Sequence, residues 1–192
     1  MIVKEKLKFY VFLDDINISI KNNLLRLKNV NIIIDNDQIE IASYQFTEII
    51  KFAKKNKIPF FVKNDYRVAV KYQSNGVFLT SDNKSLIKPI LLKKEIKILG
   101  SAHNQIEYHR KNQQSCETIM LSPIFYNNKY STNKILGIIK FNLLNLNWKR
   151  EICALGGIKI KNIKMIDMTK AEGVAIQSMI KEKPTCINTS GL

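Results

Sequence analysis

Eight short apolar runs, each followed by a longer polar or amphipathic stretch, set the tightest limit on what this chain can fold into. The first is Phe9-Tyr10-Val11-Phe12-Leu13; the others lie at 29–35, 60–62, 76–80, 96–101, 118–125, 152–158 and 173–178. They are too short for buried helices and are rich in β-branched and aromatic side chains, so they read as strands. The segments 16–27, 39–56, 66–73, 105–114, 135–146 and 159–170 read as helices. In the longest of them, Ile41, Phe46, Ile49, Ile50 and Ala53 are spaced for one buried face. Strands that alternate with helices pair in parallel, because a parallel neighbour needs a crossover connection. Eight such units predict an α/β fold, a compact (β/α)8 TIM barrel built as one domain over residues 1–192. A doubly wound open sheet is the alternative, but no Gly-x-Gly-x-x-Gly follows the first strand.

A parallel barrel gathers its site at the carboxyl ends of the strands. Here that ring reads Asp14, Asp15, Asp35, Asp37, Asn64, Asp65, 80–83, Ser101, His103, 122–125 with Lys129, then Gly156, Gly157, Gln177 and Ser178. The glycine pair closing the seventh strand leaves backbone N–H groups bare, and the turn at Gln177 and Ser178 offers more. Adjacent donors of this kind cradle a phosphate. The plainer alternative is a tight strand-to-helix turn. A phosphorylated ligand held at Gly156, Gly157, Gln177 and Ser178 would turn its other end toward Asn64, Asp65 and Lys129. Asp65 also suits the N-cap of the helix that begins at Tyr66. Asp14 and Asp15 suit a turn, and His103 is a lone histidine. Trp148 has no role legible in its surroundings.

The net charge of +15 points to anionic partners. The lysines are dispersed without aromatic interleaving, unlike a nucleic-acid groove, so phosphorylated small molecules are the expected partners and nucleic acid is not. No apolar run approaches the ~20 residues of a membrane span. The first residues lack the pattern of a secretory signal. Cys116, Cys153 and Cys186 are odd in number and far apart, which disfavours disulfides and zinc and fits a reducing cytoplasm. Association into a homo-oligomer is left open.

Six segments in order resemble the thiamine-phosphate synthase and TenI-like superfamily. They are Phe61-Val62-Lys63-Asn64-Asp65 with Val68-Ala69, Gly76-Val77-Phe78-Leu79, Gly100-Ser101-Ala102-His103, Leu121-Ser122-Pro123-Ile124-Phe125, Ala154-Leu155-Gly156-Gly157-Ile158 and Gly173-Val174-Ala175-Ile176. The resemblance implies a transferase of thiamine biosynthesis that joins hydroxymethylpyrimidine diphosphate to thiazole phosphate. It implies Asn64, Ser101 and Lys129 as catalytic residues and Gly157, Gln177 and Ser178 as the phosphate cradle. It also implies magnesium, with Asp65 and Asp82 as the carboxylates; the family's metal aspartate itself falls on Asn83. The family's Gln-x-Arg-x-Lys at the second strand end is replaced here by acids, Asp35 and Asp37. The family's Gly-Val-His-Leu-Gly-Gln-x-Asp becomes Gly76-Val77-Phe78-Leu79-Thr80-Ser81-Asp82-Asn83. With the diphosphate grip altered, the alternatives are a TenI-like thiazole-phosphate enzyme or a non-catalytic phosphate-metabolite binding protein.

Overall fold

A computed structural model describes residues 7–86, 96–128, 131–177 and 179–181. Eight strands appear where the apolar runs predict them. They are β1 (Lys8–Leu13), β2 (Val30–Ile34), β3 (Phe60–Lys63), β4 (Gly76–Leu79), β5 (Lys97–Ala102), β6 (Thr118–Leu121), β7 (Glu151–Leu155) and β8 (Gly173–Ile176). All pair in parallel in chain order, and β1 pairs with β8, so the sheet closes into a barrel and the open-sheet alternative is excluded. Among the described residues, five α-helices lie between or beside them: α1 (Ile18–Arg26), α2 (Tyr44–Lys55), α3 (Tyr66–Lys71), α4 (Gln105–Gln113) and α5 (Gly137–Asn145).

Side-chain alternation along each strand divides the interior into two cores. Inside the barrel, each strand contributes one buried apolar residue: Tyr10, Ile33, Phe61, Phe78, Leu99, Met120, Cys153 and Ala175. The aromatic bulk falls on β1, β3 and β4, and the small side chains on β7 and β8. The opposite faces of the strands pack under the helices, with Phe46, Ile49 and Ala53 of α2 fully buried. Four of the helices start where a side chain accepts a bond from a first-turn N–H: Asn17, Ser43, Asp65 and Asn104.

Several element ends differ from the sequence expectation, each for a local reason. The second helix begins at Tyr44 rather than Ile39, because Ser43 caps it and Ala42 before it adopts a φ of 70°. The expected helix over 159–170 is a shorter 3-10 helix, Ile163–Met168. There the Asn162 side chain accepts from Lys159 N–H at 2.8 Å and donates to Gly157 O at 2.9 Å, a local pairing that competes with an α-helical start. β6 stops at Leu121 because Pro123 has no N–H to donate. Beyond it, the amides of Ile124 and Phe125 reach Leu155 O and Gly156 O, so this segment follows the end of β7. Trp148 is buried and stacks on Tyr108 of α4, centroids 3.8 Å apart and planes 6° off parallel. No described helix is long and apolar enough to cross a membrane.

Among the described glycines, Gly76 leaves the least room for a side chain. A Cβ there would stand 1.9 Å from Lys97 O. Gly76→Ala is expected to lower stability by about 3 kcal/mol through forced separation of β4 from β5. Urea denaturation of both proteins checks this, and coincident midpoints would contradict it.

Candidate functional site at the carboxyl rim

The carboxyl ends of the strands surround a cavity of about 570 Å³. Its floor is apolar: Phe12 and Phe78 meet edge to face, centroids 5.1 Å apart, and Leu155 lies beside them in the lining. Its rim is polar, with Asp35, Lys63, Ser81, Asp82, Ser101, His103, Ser122, Lys159 and Gln177 among the lining residues. A larger cavity of about 690 Å³ opens at the opposite rim. There Lys8 and Glu151 pair with each other, and the strands enter rather than leave, so the loops that carry chemistry in this architecture do not reach it.

The glycine corner borders the cavity together with Gln177 from the end of β8. Gly156 has a φ of 93° and Gly157 one of 70°, a region that favours glycine. Close packing adds a second demand, since a Cβ on Gly157 would lie 2.4 Å from Phe125 O. The corner is therefore both a tight turn and part of the rim. Among the described residues, no acceptor is found for the N–H groups of Gly157 and Ile158. Amides so placed beside a lysine, Lys159, favour an anion.

Across the cavity, the ends of β2 and β3 carry an ion triad. Lys63 of β3 bridges Asp35 at 2.8 Å and Asp37 at 2.5 Å. Burial opposes the charge on Lys63, but hydrogen bonds to both carboxylates outweigh it and raise the pKa. With one cation between two anions, this side of the rim is net acidic. Asp82 adds to it: its carboxyl is held below the ordinary range chiefly by a hydrogen bond from the Thr80 side chain.

The other residues singled out from sequence are placed as follows. Ser101 is buried in β5 and lines the cavity. Asn64 and Asp65 are not in the lining. Asn64 Oδ1 accepts from Thr80 N at 3.1 Å and from Asn83 Nδ2 at 3.0 Å, and Asn64 Nδ2 donates to Thr80 Oγ1 at 2.9 Å. It staples the end of β3 to the loop after β4. Asp65 Oδ1 accepts from Val68 N–H at 2.9 Å, the cap of α3. Asp14 pairs with Lys181 at 2.7 Å. Lys129 and Ser178 lie outside the described residues.

Sequence reasoning undervalued His103, which lines the cavity with its Nδ1 2.9 Å from Ser122 O and 3.0 Å from Ser122 Oγ. It missed Lys63 as a site residue altogether. The closeness of Asp35 and Asp37, two acids in the turn just after the second strand, was the available signal for a cation between them. The aromatic floor had no signal, because Phe12 and Phe78 read as ordinary core.

Among the described residues, no group of three or more His, Cys, Asp and Glu side chains could hold a metal ion. Asp35 and Asp37 are engaged by Lys63, and Asp65 by its helix. Asp82 is the lining carboxylate without a lysine partner among the described residues. This donor set fits magnesium only in the manner usual for that ion, with one carboxylate and the rest of the shell from substrate phosphate and water.

The thiamine monophosphate synthase family model matches residues 22–180. A thiamine-phosphate synthase of Staphylococcus haemolyticus is 28% identical over 136 residues, which cover 69% of this chain and 64% of that protein. The thiamine-phosphate synthase of Methanococcus vannielii is 25% identical over 192 residues, 94% of this chain and 90% of that one. Among solved structures, the thiamine phosphate pyrophosphorylase of Pyrococcus furiosus superposes with a TM-score of 0.70 at 19% identity, covering 90% and 86% of the two chains. At that identity the superposition speaks for the fold.

Lys63→Met would leave Asp35, which is 8% exposed, without its cation. The expected cost is about 3 kcal/mol in denaturant unfolding. Adding Asp35→Asn should recover most of it, as a coupled pair requires. Additive losses in the double variant would show that the triad does not act as one unit.

Proposed function

We propose, because this chain belongs to the thiamine monophosphate synthase family, that its barrel mouth joins hydroxymethylpyrimidine diphosphate to thiazole phosphate and releases diphosphate. The bond from the pyrimidine methylene to the diphosphate oxygen breaks, and both electrons leave with the diphosphate. The thiazole ring nitrogen then donates its lone pair to the methylene cation, giving thiamine phosphate.

The observation that carries this reading is the division of one cavity into an anion-binding corner, an apolar floor and an acidic edge. The amides of Gly157 and Ile158, with Lys159 and Gln177 beside them, suit the thiazole phosphate. The Phe12–Phe78 floor suits two flat rings and excludes water between them. An aromatic face and nearby carboxylates both stabilise positive charge as it develops on the methylene. Asp35, Asp37 and Asp82 stand on that side. A diphosphate beside carboxylates is repelled unless a cation intervenes. Asp82 would hold magnesium there, and the ion would supply charge neutralisation for the departing diphosphate. Ser101 of β5 and His103, bonded to Ser122 after β6, would orient the pyrimidine.

The acidic triad also favours a second reading: a protein that binds thiazole phosphate or a related phosphate metabolite without the transfer. The two separate in one experiment. With both precursors and saturating magnesium, the synthase reading expects thiamine phosphate to accumulate. Asp82→Asn should lower the rate by roughly 100-fold and remove the magnesium-dependent rise in melting temperature given by inorganic diphosphate. A rise in melting temperature with thiazole phosphate but no product would establish the binding-only reading instead.

A further inference from the structure

Lys111 of α4 is the only lysine among the described residues that is fully buried. An ammonium without a carboxylate partner is costly to bury, so its position calls for a reason. Among the described residues it forms no salt bridge. Its Nζ instead donates to three neutral oxygens: Thr80 O at 2.5 Å, Gln114 Oε1 at 2.9 Å and Asn83 O at 3.2 Å. All three donors of the ammonium are thereby used. Gln114 completes the arrangement from the other side, its Nε2 donating to Asn83 O at 3.0 Å and Ser85 O at 2.8 Å. The stem passes over Gly100 of β5, where a Cβ would stand 2.8 Å from Lys111 Cδ. Glycine at that strand position is what admits the lysine.

The bonded carbonyls belong to the loop that leaves β4, and between Thr80 and Asn83 that loop carries Ser81 and Asp82 into the cavity lining. Asn64 grips the same loop by its Thr80 amide and Asn83 side chain. The loop is thus held on two sides, by a neutral staple from β3 and a charged one from α4. We infer that Lys111 is a positioning residue of the barrel mouth: its ammonium fixes the backbone after β4 so that Asp82 and Ser81 face the ligand. It touches no ligand itself. The inference rests on the carboxyl rim being the ligand site, as proposed above, and not on which reaction takes place there.

Burial pushes the Lys111 pKa down to about 8, with Cys116, Arg110, Asp82 and Glu107 as the ionisable groups around it. Raising the pH through that value removes one donor from the clamp. Global stability moves the other way. A lysine depressed in the folded state is charged at lower pH in both states, so stability rises between about pH 8 and its unfolded value near 10.5. A loop that loosens while the fold tightens is a signature that general destabilisation does not produce.

Lys111→Met keeps the stem and deletes the ammonium. In amide hydrogen exchange of the full chain, the segment 80–85 is expected to lose protection by about tenfold or more, the worth of a hydrogen bond from a charged donor. Exchange in β1, β2 and β8 should not change. In wild type the protection of 80–85, corrected for intrinsic rate, should fall above pH 8, and in the variant it should be flat. Calorimetry should show magnesium diphosphate bound about tenfold more weakly by the variant, with inorganic phosphate at the glycine corner unaffected. Gln114→Leu, which leaves the lysine in place, should shift both readouts in the same direction by less. Unchanged exchange at 80–85 overturns the inference, and so does a loosened loop with undiminished magnesium diphosphate binding. If wild type binds no magnesium diphosphate, the functional reading of the rim fails, and the exchange data still decide whether Lys111 holds the loop.

Discussion

Pairing between β1 and β8 is the constraint from which the rest follows. Without it, the eight parallel strands would form an open sheet whose two ends lie far apart, and the first and last loops would never meet. Closure brings the acids that follow β2 and the glycines that follow β7 to facing sides of one ring. It also forces the inward-facing side chains of all eight strands to share a narrow interior. The aromatic residues on β1, β3 and β4 fill one side, while Cys153 and Ala175 leave the other side shallow. The cavity inherits that asymmetry, with an edge-to-face aromatic floor at Phe12 and Phe78 and smaller side chains under the glycine corner.

Electrostatics divides the rim in the same way. On the β7–β8 side the charge-bearing elements are amides and an exposed lysine. On the β2–β4 side the acids outnumber the cation, because Lys63 is shared by two carboxylates and Asp82 stands apart from them. A ligand with a phosphate at one end and developing positive charge in the middle lies along this gradient. An uncomplexed diphosphate does not, so the proposed transfer would depend on a divalent cation more than it would at a rim carrying its own arginine. Loops with such a task must not wander. Asn64, Lys111 and Gln114 all direct side-chain hydrogen bonds to the segment after β4, which has little apolar surface of its own to bury.

The barrel was legible because periodicity in a parallel sheet is written in consecutive residues. Phe9 to Leu13 or Gly173 to Ile176 cannot be much else once their neighbours read as helices. Gly156 and Gly157 were legible for the same reason: positive φ at two successive residues asks for that residue type. The sequence did not reveal the competition that Asn162 sets up with the helix expected over 159–170, since an asparagine fits a turn or a helix surface equally well. The site was less legible still. The cap at Asp65 was legible, but the bonds of Asn64 to Thr80 and Asn83 were not, because they join residues from two different loops. Lys111 was invisible in a chain so rich in lysine. Its burial depends on Gly100, and nothing along the chain ties a glycine on β5 to a lysine on the helix that follows.

The sole tryptophan of the chain has an optical consequence. Trp148 lies flat against Tyr108, shielded from water, at the junction of α4 with the segment leading into β7. Its emission is therefore a native probe of whether α4 is seated, free of any attached dye. Because the same helix carries the buried ammonium, a red shift on alkalinisation would separate undocking of the whole helix from local slackening of the loop it grips.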